Sequence, residues 1–89
     1  MKVDVTVVLP VFNAEHTLAA AMESVLADRA VALELVVVND ASADDSMAVA
    51  HRIRDPRVRV IQNDGPKGVV GAANTGIRAA RGPWIARMD

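Results

Sequence analysis

The sequence predicts an α/β chain, an open parallel sheet of four strands in βαβαβαβ order with the strand order 3-2-1-4. Three observations carry this. Short Val-rich runs alternate with longer runs of helical period, the pattern of βαβ units. The first strand-like run is almost continuously apolar, as in strands covered on both faces. Aromatic residues are nearly absent, with only Phe12 and Trp84 among 89 residues, which suits thin βα layers better than an aromatic-rich sandwich. Residues 1–89 read as one domain, and a chain of this size buries only about 60–65% of the surface it exposes when unfolded.

The first strand is expected over Val5-Thr6-Val7-Val8-Leu9, with Pro10 ending it because proline cannot donate to a ladder. A helix capped by Asn13 follows. Its apolar stripe is Leu18, Met22, Val25 and Leu26, at i, i+4, i+7 and i+8. The second strand is Leu33 to Val38, broken by Asn39-Asp40-Ala41-Ser42. Ser42 with Asp45 resembles a capping box for a helix that runs to about Arg54, with Val49 and Ile53 inward. Asp55-Pro56 stops it. Val58-Arg59-Val60-Ile61 alternates and reads as an edge strand. Asn63 to Gly68 is a loop by its turn residues, and a third helix spans Val69 to Arg81 with Val70, Ala73, Ile77 and Ala80 inward. Gly82-Pro83 stops it. The fourth strand is Trp84 to Met88, and Asp89 is last.

Right-handed crossovers give such a chain a doubly wound sheet. Its ligand crevice lies beyond the carboxyl ends of the strands, at the switch point between strands one and four. The Pro10-to-Asn13 turn, Asn39-Asp40 and Asp89 should gather there.

Composition excludes several classes. Net charge is −1 with acids and bases interspersed, so no basic stripe marks a nucleic-acid binder. There are no cysteines, hence no disulfide framework and no thiolate metal site. The Met1-Lys2-Val3-Asp4 start lacks the apolar core of a signal peptide, and no run reaches the roughly 18 residues that span a bilayer. The expected compartment is the cytoplasm, with peripheral membrane contact through further sequence left open.

Asp40 follows a buried strand and precedes a helix. An ionised carboxylate there accepts hydrogen bonds from a nucleotide's base or ribose hydroxyls; as an alternative, it is a turn or cap residue. Asp44 and Asp45 suit a helix's first turn. Pro10-Val11-Phe12-Asn13 offers free backbone N–H groups to a ligand, or is an ordinary βα turn. No G-x-G-x-x-G follows the first strand, so a dinucleotide fingerprint is missing. Four glycines fall between Gly65 and Gly76; Lys67 among them neutralises a phosphate or is simply solvated. Gly71 and Gly76 each cost about 1 kcal/mol in a helix relative to Ala, which close packing on the sheet would explain. Asp89, at a strand's carboxyl end, is a candidate ligand for Mg²⁺ or Mn²⁺. His16 and His51 read as surface residues.

Taken together, these residues resemble the family 2 glycosyltransferases of GT-A fold, a Rossmann-like architecture. The segment Val7 to Glu15 is similar to that family's opening strand and turn, and Leu35 to Ser42 to its apolar run ending in [ND]-D-x-S. Asn63 to Gly68 followed by Ala72-Ala73-Asn74-Thr75-Gly76 resembles its Asn- and Gly-bearing stretch, and Trp84 to Asp89 the strand entering its DxD motif. The four segments occur in order over the whole chain. The resemblance implies the nucleotide-sugar-binding part of an inverting glycosyltransferase with a UDP-linked donor. It implies a nucleotide site from Pro10, Val11, Phe12, Asn13, Glu15, Asp40, Gly68, Asn74 and Asp89, and a divalent cation on Asp89. The second metal-binding acid, the acceptor site and the catalytic base are then expected beyond residue 89, leaving the isolated chain inactive. Many members carry Arg where this chain has Ala73, so that nucleotide contact is missing. A non-catalytic nucleotide-binding module and a purely structural α/β fragment are the competing readings. Trp84, Ile85 and Met88 are expected on an uncovered edge that pairs with a second copy.

Overall fold

The computed structural model describes residues 2–88. Among them the elements run β1 (Val5–Val11), α1 (Leu18–Leu26), β2 (Leu33–Asn39), α2 (Ser46–Arg52), β3 (Val58–Gln62), α3 (Val69–Ala79) and β4 (Trp84–Arg87). The strands form one sheet in the order β3-β2-β1-β4, and every pairing is parallel. The expected class, element order and strand order are those observed.

Alternating residues of β1, β2 and β3 feed two cores. Leu9, Val11, Leu33, Leu35 and Val37 pack with Leu18, Met22 and Leu26 of α1 and Ala50 of α2. Val8, Val36 and Val38 pack under Ala72 of α3. Helices on both faces explain why all seven residues of β2 are buried. In α1 the predicted stripe holds, with Val25 half-buried beside it.

Several local expectations are corrected. Pro10 does not end β1, which continues to Val11 opposite Asn39. The side of Pro10 that lacks an N–H faces β4, beyond the last paired residues Val8 and Arg87, so its missing donor is tolerated. Asn13 does not cap α1. It sits at φ 49, and α1 begins after Thr17 without a side-chain cap. Ser42 and Asp45 form no capping box, because Ser42 Oγ receives the Asn13 N–H and Asp45 makes no side-chain cap bond. Helix α2 ends at Arg52 and α3 at Ala79, both short of expectation.

The predicted inward stripe of α3 is wrong in part. Val70 and Ile77 are exposed, and the buried face is Ala72, Ala73, Thr75 and Gly76. A Cβ on Gly76 would lie 2.3 Å from Val8 Cγ1 and 3.0 Å from Val38 Cγ2. Small residues therefore set how closely α3 approaches the sheet, and larger apolar ones are turned outward.

At the opposite edge, β4 pairs only with β1 and all four of its residues are exposed. Trp84 is 72% exposed. Met88, expected on the bare edge, is half-buried and packs against the core on the α1 side.

Candidate functional site

At the carboxyl end of the sheet, the turn after β1 and the turn after β2 are bound into one unit. Asp40 N–H donates to Val11 C=O at 2.8 Å, and Asn13 N–H to Ser42 Oγ at 3.1 Å. Ala14 N–H donates to Ser46 Oγ at 2.8 Å and Glu15 N–H to Asp44 Oδ2 at 3.2 Å. The Asn13 side chain answers, accepting from Ala43 N–H at 2.8 Å. Asp44 also accepts from the Ser46 N–H and hydroxyl. Of the Pro10-to-Asn13 turn expected to offer free amides, the Asn13 N–H is thus used within the protein, as are those of Ala14 and Glu15 after it. Two non-glycine residues of this unit, Asn13 at φ 49 and Ala41 at φ 58, lie in the left-handed region. For Ala41 this costs about 1 kcal/mol, held by the bonds on either side of it.

The loop between β3 and α3 closes over Asp40. Asn63 Nδ2 donates to Asp40 Oδ1 and Gly68 N–H to Asp40 Oδ2, both at 2.9 Å. Lys67 Nζ donates to the Asp40 carbonyl at 3.0 Å and stands 4.1 Å from the centre of the Phe12 ring, within cation–π range. Gly68, at φ 120, permits the turn that aims its amide at Asp40. Asn63 holds the loop's own shape, accepting from Gly65 N–H and from Thr75 Oγ1 and donating to Pro66 C=O. Asp40 is 6% exposed. The Asn63 bond lowers its pKa, and the Gly68 bond and nearby Lys67 reinforce this against burial, so the group is a carboxylate at neutral pH. Asp44 is likewise held below its ordinary value, first by the Ser46 hydroxyl.

The structure brings Val11, Phe12, Asn13, Asp40 and Gly68 together. Val11 contributes its carbonyl, since its side chain is in the core. Pro10 is half-buried within β1. Asn74 lines a groove of about 360 Å³ with Lys67, Gly68 and Arg78, on the outer side of the same loop. Glu15 faces a different groove, between α1 and α2, with Glu23 and Arg52. Asp89 lies outside the described residues. Asn63 and Lys67 do more than a turn residue and a solvated lysine would; the Asn63-x-Gly65 spacing is the signal for an Asx turn. Ser46 and Asp44 leave no signal of their role, because their partners lie 29–32 residues away.

The unit can present an ionised acceptor, a half-exposed aromatic ring and an ammonium group to one ligand. Among the described residues no group of three His, Asp or Glu side chains is placed to hold a metal ion. None of the helices there is long and apolar enough to cross a membrane.

The family described as Glycosyl transferase family 2 matches residues 6–89. The succinoglycan biosynthesis protein ExoO of Rhizobium meliloti (strain 1021) is 50% identical over 86 residues, which cover 97% of this chain and 25% of that protein. The Escherichia coli protein WfgD, named as a UDP-Glc:alpha-D-GlcNAc-diphosphoundecaprenol beta-1,3-glucosyltransferase, is 36% identical over 85 residues, covering 96% and 34%. This chain therefore spans about a quarter to a third of these relatives. Among solved structures, the mannosyltransferase PcManGT of Pyrobaculum calidifontis, in complex with GDP-Man and Mn²⁺, superposes with a TM-score of 0.83 at 24% identity, over 96% of this chain and 26% of that one. The glucosyl-3-phosphoglycerate synthase of Mycobacterium tuberculosis, in complex with Mn²⁺, UDP and glucosyl-3-phosphoglycerate, gives 0.83 at 23%, over 97% and 33%. Both likenesses concern the fold.

Proposed function

From the premise that the chain belongs to glycosyl transferase family 2, we propose that it binds the nucleotide of an activated sugar donor within an inverting glycosyltransferase. The observation that carries this is Asp40, a nearly buried carboxylate fixed between the Phe12 turn and the Lys67 loop at the carboxyl end of β2. A carboxylate has about four lone-pair positions, and the protein fills two. The remaining positions accept from N–H or O–H groups of a base or ribose. Phe12 offers a flat apolar face for the base, and Lys67 a positive charge for the diphosphate. Reduced repulsion on the leaving diphosphate favours its departure from the anomeric carbon as an acceptor hydroxyl attacks from the opposite side. A base on the acceptor side takes the hydroxyl proton. That base and the acceptor site belong to sequence outside this chain, so the chain alone is expected to bind nucleotide without transferring sugar.

A uridine nucleotide is the donor chosen, supported by the UDP-Glc in the name of WfgD. A divalent cation, Mg²⁺ or Mn²⁺, is part of the proposal for the whole enzyme, supported by the Mn²⁺ in complex with the two solved neighbours. The described residues do not fit such an ion by themselves, since Asp40 and Asp44 are engaged with Asn63, Gly68, Ser46 and Glu15. Asp89 is its proposed ligand and lies outside the described residues, so no step is derived through the ion. We place the enzyme in the cytoplasm beside the membrane. The support is the diphosphoundecaprenol acceptor in the name of WfgD, since an undecaprenyl chain is a long hydrocarbon.

Titration calorimetry with UDP tests the site. Asp40→Ala is expected to weaken binding about tenfold or more, as loss of a charged hydrogen bond does. Unchanged affinity in a variant that keeps its circular dichroism would reject Asp40 as a ligand group. The bare β4 edge supports a further proposal, self-association of this chain through β4. Light scattering that gives a monomer mass at high micromolar concentration would refute it.

A further inference from the structure

The amino end of the sheet holds a buried acid that the donor site does not use. Glu34, on β2, is 2% exposed. Its Oε2 accepts from Thr6 Oγ1 of β1 and from the Arg81 N–H, both at 2.7 Å. Its Oε1 accepts from Arg59 Nε of β3 at 2.9 Å. Arg59 Nη2 also donates to the carbonyl of Ala79, the last residue of α3, at 2.6 Å. Thr6 Oγ1 in turn accepts from the Gly82 N–H at 3.0 Å. Three strands, the end of α3 and the turn leading into β4 thus converge on one carboxylate.

The register of β4 needs such a device. A strand with one buried face has its register fixed by burial, because a slip of one residue turns every apolar side chain to water. All four residues of β4 are exposed, so burial penalises a slip there only weakly. What is fixed is the turn that feeds the strand, at Arg81 and Gly82. A Cβ on Gly82 would lie 2.9 Å from Thr6 N, so the turn also sits tightly against β1.

We propose that Glu34, with Thr6, is the positioning group that sets the register of β4 against β1. A two-residue slip would carry the carboxyl end of β4 about 7 Å along the sheet. The structural claim stands independently of donor binding. Only its bearing on sugar transfer rests on the function proposed above.

Amide exchange followed by NMR on this chain tests it, without nucleotide. In Thr6→Val and Glu34→Gln, the Trp84, Ala86 and Met88 amides, which face β1, are expected to exchange roughly tenfold faster or more, as for loss of a hydrogen bond to a charged group. Amides at the centre of β2 should keep their protection. Cross-strand contacts between the backbone at position 6 and Ile85 should weaken or shift in register. Glu34→Asp, whose shorter carboxylate keeps the charge, should recover part of the protection. Two results would overturn the proposal: unchanged β4 exchange in folded Thr6→Val and Glu34→Gln, or a loss of protection spread evenly over the sheet. If Glu34→Gln does not fold, Thr6→Val decides alone, since it removes one hydroxyl at nearly constant volume.

Discussion

Strands β2 and β4 both flank β1 in parallel, yet they are held in different ways. All seven residues of β2 are buried between helices on two faces. All four residues of β4 are exposed, and its helix-side neighbours are few enough that Trp84 stands 72% in solvent. Burial places the first strand, and hydrogen bonds at its point of departure place the second. A sheet can therefore have a core-determined centre and a turn-determined margin. Changes at the two should differ in size and in reach.

The largest difference is expected from truncation in β2. Leu35 is fully buried, and Leu35→Ala should cost about 2–5 kcal/mol. That is a large part of the stability of a chain this small, and denaturant unfolding followed by circular dichroism would measure it. Gly76→Ala comes next. Its Cβ would meet the stiff side chains of Val8 and Val38, and overpacking of this kind costs about 1–3 kcal/mol. The better helix propensity of Ala offsets part of it. A gain in melting temperature would show that α3 has room the geometry denies.

Acidification should separate the two strands without any substitution. Burial pushes the Glu34 carboxyl up, but the bonds from Thr6, Arg81 and Arg59 outweigh it, leaving the pKa below its ordinary 4.5. Asp55, held by Arg57, also lies below its ordinary 3.8. For such groups the stabilisation is complete above the ordinary value and is lost as pH falls through the lower folded value. β4 amides should therefore lose exchange protection below about pH 4.5, before those of β2. Simultaneous loss would mean that the two strands are not held separately. The smallest effect is expected at Ile85→Ala, within about 0.5 kcal/mol as for surface positions. A cost like that of Leu35→Ala would erase the comparison.

The same contrast explains what is legible in the sequence. Apolar runs and their spacing suffice for the strands and helices, most clearly for β2, which is buried on both faces, and right-handed crossovers supply the order 3-2-1-4. The inward face of α3 is misread when apolar size is the guide. Val70 and Ile77 are larger, but contact distance to the sheet is set by Gly76, Ala72 and Ala73. At the site, Asp40 and the Phe12 turn are legible from their place between strand and helix. The ties that consume the turn's amides are not, because Ser42, Asp44 and Ser46 reach back to residues distant in sequence. Glu34 gives no sign of its role inside an apolar run, since its partners come from three other parts of the chain.

The strand order has a consequence for how the chain is made. Of the four strands, β1 emerges first from the ribosome, and it lies inside the sheet between β2 and β4. Its first partner arrives soon, as the Thr6–Glu34 bond spans 28 residues, whereas the Gly82–Thr6 bond spans 76. At synthesis rates of about 5–20 residues per second, one side of β1 waits seconds longer than the other for a neighbour. During that interval its N–H and C=O groups on that side are open to any extended chain nearby. The arrival of β4 closes that side of β1 and moves the open edge of the sheet to β4 itself.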